Sequence, residues 1–316
     1  MKVTQHLAEA KDTLFSFEIL PPLKGRSIHS IYEGIDPLME FEPPFINVTY
    51  HREEYVYKRR ENGYLQKIST RKRPGTVSMC AAIQGKYGVD AVPHLICGGF
   101  SKEETENALI ELHFLGIENV LALRGDPIKT EPVFTPHPEG HANAVDLIGQ
   151  IREMNEGMLL HEETASTPTD FCIGAAGYPE KHFESMNLRS DMKYLKKKVE
   201  NGAEFIVTQM FFDNEKFFDF VDKCREAGIT VPIIPGLKPI TTMKHITFLP
   251  KFFHIDLPDD LGDALEKCKN NDDVREVGID WGIRQSKELK EKGVPCIHYY
   301  TMGRSAAVKR IAKEVF

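Results

Sequence analysis

The sequence contains few cysteines, and none of them occurs in a CxxC pair. Six cysteines are spread over 316 residues, several of them inside apolar runs. Closely spaced pairs are the usual signature of a disulfide framework or a structural zinc site. Their absence predicts buried free thiols, with no disulfide and no cysteine-bound metal.

Long apolar runs and an excess of positive charge are also missing. No window approaches 18 uninterrupted apolar residues, and the first residues, MKVTQHLAEAKD, lack the apolar core of a secretion signal. We therefore expect a cytoplasmic protein with no membrane partner. The net charge of -7 argues against a nucleic-acid partner, because neutralising phosphates requires a basic face.

Several short motifs of nucleotide-dependent and hydrolytic enzymes are absent. The sequence has no GxGxxG, no GxxxxGKS or GxxxxGKT, no GxSxG and no HExxH. Neither a Rossmann dinucleotide site nor a P-loop is therefore indicated. His137 and His141 are four residues apart, but Pro138 and Gly140 between them rule out a regular helix. We expect no metal site.

Eight short apolar segments alternate with segments of helical periodicity. Strands that are each followed by a helix, with no hairpin turn between any two of them, imply parallel pairing. Eight such units predict an α/β fold, a (β/α)8 TIM barrel with residues 1–316 as a single domain. A doubly wound open sheet is the alternative. The predicted strands cover residues 14–20, 45–50, 90–97, 120–123, 171–178, 205–212, 231–237 and 296–302.

Polar residues directly follow several of these strands. In VLALRGDP, residues 120–127, four apolar residues are followed at once by Arg124, Gly125 and Asp126. Side chains at the C-terminal ends of barrel strands face one cavity, where polar groups bind or react. A surface turn with an internal Arg–Asp pair is the structural alternative.

Glu18 is a carboxyl group inside the first apolar segment, between Phe17 and Ile19. Loss of hydration in a barrel wall raises the pKa of a carboxyl group, so Glu18 would hold a proton near neutral pH and could act as a general acid. A buried Glu paired with a neighbouring Lys or Arg is the alternative.

A polar interval at residues 51–75 separates the second predicted strand from the next helix. It holds eight Lys or Arg against three Glu and is too long for a simple connection. The interval is either a lid over the cavity or a solvated insertion.

Eight motifs, in order, carry a resemblance to a known family. They are FSFEILPP, FINVTY, PHLIC, LALRGDP, GYPEKHFES, VTQMFFD, IIPGLKPI and YYTMGR, and they extend from about Leu14 to Arg304. In this order they resemble the catalytic domain of methylenetetrahydrofolate reductase. The resemblance implies a (β/α)8 barrel that binds FAD non-covalently, which explains how a flavoprotein can lack a Rossmann motif.

The resemblance also implies roles for the matching residues. Glu18 is the expected general acid, and Asp126 is the expected catalytic carboxylate near the folate and the flavin. Gln209 and Arg304 are expected to bind the folate substrate, and Gln209 and Thr49 to contact the nicotinamide nucleotide. The residues expected to hold FAD are Tyr50, His94, Arg124, Gly125, Asp126, Tyr178, His182, Asp191, Lys197 and Lys198.

Some positions depart from the family pattern. Tyr194, His245 and Gly303 stand where the family has Asn, Gln and Asn, and Lys197 stands where it can have Arg. Contacts at these four positions are therefore expected to differ in geometry from those of the family.

The activity implied is reduction of 5,10-methylenetetrahydrofolate to 5-methyltetrahydrofolate by NADH or NADPH. It would proceed as a ping-pong hydride relay through FAD, in one-carbon metabolism and methionine synthesis. The resemblance also implies a homo-oligomer, and no regulatory domain is expected after Phe316. Two other functions fit the residues: a barrel lyase or aldolase with Lys238 as an amine nucleophile, and a folate or flavin carrier without turnover.

Overall fold

Nine of the eleven strands coincide with the apolar segments of the sequence. In this computed structural model, residues 1–128, 131, 133–162, 164 and 166–316 are described. The strands are β1 (Leu14–Ile19), β2 (Phe45–Val48), β3 (Glu54–Arg59), β4 (Leu65–Thr70), β5 (Asp90–Ile96), β6 (Asn119–Leu123), β7 (Cys172–Gly177), β8 (Phe205–Thr208), β9 (Ile233–Ile234), β10 (Gly236–Leu237) and β11 (Cys296–Tyr300).

Helices separate most of the strands. They are α1 (Val3–Glu9), α2 (His29–Ile35), α3 (Thr76–Tyr87), α4 (Lys102–Phe114), α5 (Ala144–Asn155), α6 (Leu188–Glu200), α7 (Asn214–Glu226), α8 (Met243–Phe253), α9 (Asp259–Glu266), α10 (Asn271–Glu291) and α11 (Ala306–Val315), with a 3-10 helix at Asp36–Phe41. The helix α4 begins with the capping box that Ser101 and Glu104 indicate, because each side chain accepts the other's backbone N–H.

The parallel strands form a (β/α)8 barrel, as predicted. Their order is β10-β11-β1-β2-β5-β6-β7-β8-β9. Strands β9 and β10 are two pieces of the predicted seventh strand, separated by Pro235, so the two ends of the sheet belong to one stretch of chain. The backbone N–H of His298 donates to the carbonyl of Pro235 at 2.9 Å and helps to close the ring.

Side chains alternate between the barrel interior and the surrounding helices. Along β1, Phe15 and Phe17 belong to the core between sheet and helices, whereas Leu14 packs inside the barrel. Ser16, the next inward-facing residue, forms a hydrogen bond with His298 Nδ1 at 2.9 Å, and Glu18 is the inward-facing residue after it. The inward positions of β1 therefore change from apolar to ionisable toward the C-terminal end.

The helix α1 covers the opposite, N-terminal end of the barrel. Val3 is fully buried among the interior residues, and its N–H donates to Asn119 Oδ1 at 2.7 Å. The amide of Asn119 donates in turn to the carbonyl of Met1 at 2.9 Å. The barrel is therefore accessible from its C-terminal end, where the strand-end residues lie.

The polar interval at 51–75 contains two strands where only a lid or a solvated insertion was expected. Strands β3 and β4 pair antiparallel, from Glu54 opposite Thr70 to Arg59 opposite Leu65, and form a hairpin outside the barrel. The turn contains Asn62 and Gly63, and Gly63 has φ +84°. Most hairpin residues are exposed, as expected for an insertion.

The cysteines agree with the prediction of buried free thiols. All six cysteines are free, and all but Cys268 are buried. Among the helices that the structure describes, none is both long enough and apolar enough to cross a membrane.

Candidate active site

Glu18 lies at the C-terminal end of β1, half-buried at the barrel mouth. Burial raises the pKa of Glu18 to about 8, and the positive charge of Lys238 opposes the shift. Among the described residues, no group donates a hydrogen bond to the Glu18 carboxyl; the hydroxyl of Thr301 donates instead to its backbone carbonyl, at 2.7 Å. A carboxyl group with this pKa is mainly protonated at neutral pH.

Tyr300 and Lys238 complete this part of the mouth. Glu18 lies opposite Tyr300 in the pairing of β1 with β11, and Leu237 lies opposite Tyr299 in the pairing of β10 with β11. Lys238 follows Leu237 and therefore reaches the level of Tyr300 from the other side. The hydroxyl of Tyr300 donates to the carbonyl of Thr208.

Asp126 lies on the turn after β6. Gly125 adopts φ +85°, a conformation that L residues rarely adopt, and a Cβ there would lie 3.2 Å from Ile96. Burial raises the pKa of Asp126, while the charge of Arg124 acts in the opposite direction. The two nitrogens of Arg124 bind both carboxylate oxygens of Glu184.

Asp126 and Glu18 belong to the same mouth. Burial raises the pKa of Tyr300, and the nearby Glu18 and Tyr178 add to the effect. The pKa of Tyr178 is raised by burial and then by Asp126. Because β1 and β6 run parallel in one sheet, their C-terminal ends, and with them Glu18 and Asp126, lie at the same end of the barrel.

The segment after β7 brings several predicted FAD-binding residues together. The rings of Tyr178 and His182 meet edge to face, with centroids 4.7 Å apart. The carboxylate of Asp191 accepts hydrogen bonds from the backbone N–H of His182 at 3.1 Å and from the Ser185 hydroxyl at 2.8 Å. Lys198 donates to the carbonyl of Ala176 at 2.9 Å, and burial lowers its pKa to about 8.

A second group of predicted residues lies around a cavity of about 330 Å³. Tyr50 lines it, meets Phe100 edge to face at 4.9 Å and accepts a hydrogen bond from Arg71 at 3.1 Å. His94 also lines it and lies 3.3 Å from Asn47 Nδ2; burial lowers the pKa of His94 to about 3, so the ring is neutral.

These two groups fit a flavin dinucleotide. The buried hydroxyl of Thr49 lacks a hydrogen-bond partner among the described residues, which is a polar atom that a bound ligand would satisfy. Aromatic faces suit the ring systems of FAD, and the cations Arg124 and Lys198 suit its pyrophosphate.

The remaining predicted residues are less closely joined to the mouth. Gln209 follows β8 half-buried, and its side chain accepts the N–H of Met210 at 3.0 Å. Arg304 is exposed and lines a cavity of about 480 Å³ with Arg26 and Arg73. Lys197 is exposed on α6, with its ammonium 5.5 Å from the Tyr194 ring, so its contact with FAD stays a prediction.

Two residues that bind predicted site residues were not singled out from the sequence. Glu184, inside GYPEKHFES, fixes Arg124, and Arg71, at the base of the hairpin, fixes Tyr50. The basic composition of residues 51–75 was the only sequence signal for Arg71.

Comparison with known proteins identifies relatives over nearly the whole chain. The family model described as methylenetetrahydrofolate reductase matches residues 2–315. Methylenetetrahydrofolate reductase 1 of Schizosaccharomyces pombe is 34% identical over 303 residues, which is 95% of this chain and 45% of the relative. The 5,10-methylenetetrahydrofolate reductase of Salmonella typhimurium is 30% identical over 305 residues, 96% of this chain and 91% of the relative.

The chain thus spans about half the length of the first eukaryotic relatives it matches. Among solved structures, an uncharacterized Clostridium thermocellum protein that binds two copies of 5-methyl-5,6,7,8-tetrahydrofolic acid has a TM-score of 0.58 at 14% identity. The match covers 98% of this chain and 97% of that protein and supports the barrel fold.

Proposed function

The chain belongs to the methylenetetrahydrofolate reductase family, and from that membership we propose that it reduces 5,10-methylenetetrahydrofolate to 5-methyltetrahydrofolate with NADH or NADPH. The observation that carries the proposal is a proton-holding Glu18 and an Asp126 carboxylate around one barrel mouth. Relatives from Arabidopsis thaliana and Caenorhabditis elegans are named for NADH and NADPH respectively, which supports a nicotinamide co-substrate without deciding between the two.

FAD, when bound, supplies a carrier that takes hydride from the nicotinamide and gives it to the folate. Tyr50, His94, Tyr178 and His182 would hold its rings, and Arg124 and Lys198 its phosphates. The nicotinamide nucleotide and the folate would both bind at this one mouth. They would therefore bind one after the other, and Gln209 would contact each of them.

Glu18 would donate its proton to N10 of the folate. The methylene bridge opens only if N10 leaves as a neutral amine, since an amide anion is a poor leaving group. The proton passes from the carboxyl oxygen to N10, and the bridge carbon becomes a cationic iminium. The carboxylate of Asp126 would stabilise that cation in a site of low dielectric constant.

The spectrum of the purified protein tests this proposal. We expect a yellow flavoprotein whose flavin absorbance bleaches when NADH or NADPH is added without oxygen, and returns when 5,10-methylenetetrahydrofolate follows. A colourless protein would favour a lyase, and a yellow one that NAD(P)H does not bleach would favour a carrier. Either result would end the proposal.

Two substitutions separate the half-reactions. Glu18→Gln should retain FAD and its bleaching by NAD(P)H but lose folate-driven recovery, by about 10²-fold or more, because Gln cannot donate the proton. Asp126→Asn should retain bound flavin and slow folate turnover. Loss of bleaching in Glu18→Gln would remove Glu18 from this role.

A further inference from the structure

Lys238 is a buried cation that the proposed chemistry has not used. It is 6% exposed, and its one hydrogen bond among the described residues runs to the carbonyl of Pro239 at 3.4 Å. No carboxylate of the described chain lies within ion-pair distance of its ammonium. Burying an ammonium with so little compensation is unfavourable, so the position calls for a function.

The strand register directs Lys238 toward Glu18. A Cβ on Gly236 would meet the ring of Tyr300, which shows that Gly236 faces inward, while Leu237 packs in the outer core. Alternation then turns Lys238 inward. Lys238, directly after β10, and Glu18, on β1, thus flank Tyr300 of β11 at one level of the barrel.

The other groups around the pair cannot replace Lys238. Tyr300 uses its hydroxyl on Thr208, and Thr301 bonds only to the backbone of Glu18. Burial lowers the pKa of His245 to about 4, so that ring is neutral, and Arg304 is exposed to solvent. Lys238 is therefore the cation whose charge acts on the carboxyl of Glu18.

We propose that Lys238 is a positioning residue for the acid step, because its ammonium stabilises the carboxylate that Glu18 becomes on giving up its proton. The inference rests on the proposed function for the identity of the proton acceptor. Burial lowers the pKa of Lys238 to about 8, so at neutral pH its ammonium is mostly charged. The transferred proton leaves the Glu18 oxygen for the substrate nitrogen, and Lys238 gives up none of its own. The same ammonium would then favour the ionised carboxylate until the proton is restored.

The direct test is the titration of Glu18 in Lys238→Met, which keeps the side-chain length and removes the charge. Carbon-13 NMR of labelled glutamate follows the carboxyl without folate or nicotinamide, and Glu18→Gln assigns its signal. Because burial raises the pKa of Glu18 and Lys238 counteracts it, we expect the midpoint to rise by about one pH unit. An unchanged midpoint would overturn the inference.

Kinetics provide a second readout in the flavin-loaded protein. Lys238→Met should slow folate-driven recovery about tenfold, move the loss of rate at high pH upward and leave bleaching by NAD(P)H unchanged. Lys238→Arg should restore part of the rate, because it keeps a charge. Equal loss of both half-reactions, or no loss of either, would contradict a role in the acid step.

Lys244→Met is the matched control. Lys244 is exposed on α8, near Lys238 in sequence, and its loss should change neither the Glu18 midpoint nor either half-reaction. If the wild-type protein bleaches but never reduces folate, the proposed function fails, whereas the NMR midpoint still decides whether Lys238 acts on Glu18.

Discussion

The raised pKa of Glu18 suits a proton donor but lowers the free energy of unfolding above the pKa of the unfolded chain. Its pKa rises from 4.5 to about 8 because folding removes water from the carboxyl. Between these pH values the folded protein binds a proton that the unfolded chain has released, so the free energy of unfolding falls as pH rises. Above about pH 8 the folded protein contains an ionised, half-buried carboxylate.

Glu18→Gln should therefore stabilise the protein in a pH-dependent way. Below about pH 4, Glu18 is neutral in the folded and in the unfolded protein, so the wild type and Glu18→Gln should have the same Tm. At pH 8 we expect Gln to be more stable by roughly 1 kcal/mol, or about 2–4 °C in Tm, a value kept small because the half-buried carboxyl retains part of its hydration. Calorimetry across this range measures the difference, and a gap independent of pH would contradict the explanation.

The rate of folate reduction should follow the same ionisation. The acid form of Glu18 predominates below its pKa of about 8, so single-turnover folate reduction should be constant at neutral pH and fall as pH rises above about 8. The rate of flavin bleaching by NAD(P)H should not fall in this way at high pH. Stopped-flow measurements from pH 6 to 10 compare the rates of these two steps. A fall of both rates at the same pH would assign the ionisation to a group other than Glu18.

Among the elements, the hairpin formed by β3 and β4 is the most independent of the barrel. Its strands pair only with each other, and the fold would lose little buried surface without them. Replacing residues 55–69 with a short Gly-Ser turn should change Tm by no more than about 2 °C. Thermal melting monitored by circular dichroism tests this, and a much larger drop would show that the hairpin supports the barrel.

The barrel strands could be predicted because each is a short apolar segment ended by polar or turn residues. Glu18 and Asp126 were identified for the same reason, since strand ends of a barrel share one mouth, whereas Gln209 was named through the family resemblance. The hairpin was missed although Asn62-Gly63 is a strong turn signal, because residues 58–61 directly before it are all charged and interrupt the apolar alternation of a strand. The relation of Lys238 to Glu18 depends on register across three strands, which no local pattern encodes.

At the scale of the whole molecule, Asn119 joins the barrel to the helix that closes its floor. It is fully buried, accepts the N–H of Val3 and donates to the carbonyl of Met1. Asn119→Ala would leave both backbone groups without these partners, at a cost of about 2–3 kcal/mol. Urea unfolding measures the loss, and a change below about 0.5 kcal/mol would mean that water replaces the amide.

The assembly of the molecule stays a prediction. The resemblance implies a homo-oligomer, and light scattering on the purified chain gives the mass in solution directly.

The break at Pro235 has a mechanical consequence for the whole ring. Strands β9 and β10 contribute only two residues each, so the barrel is held there by fewer ladder bonds than anywhere else along its circumference. Local unfolding of the barrel would therefore begin at β9 and β10, and their backbone amides should exchange hydrogen faster than those of the other barrel strands. Lys238 lies three residues after Pro235, so local unfolding of β9 and β10 would move its ammonium away from the Glu18 carboxyl.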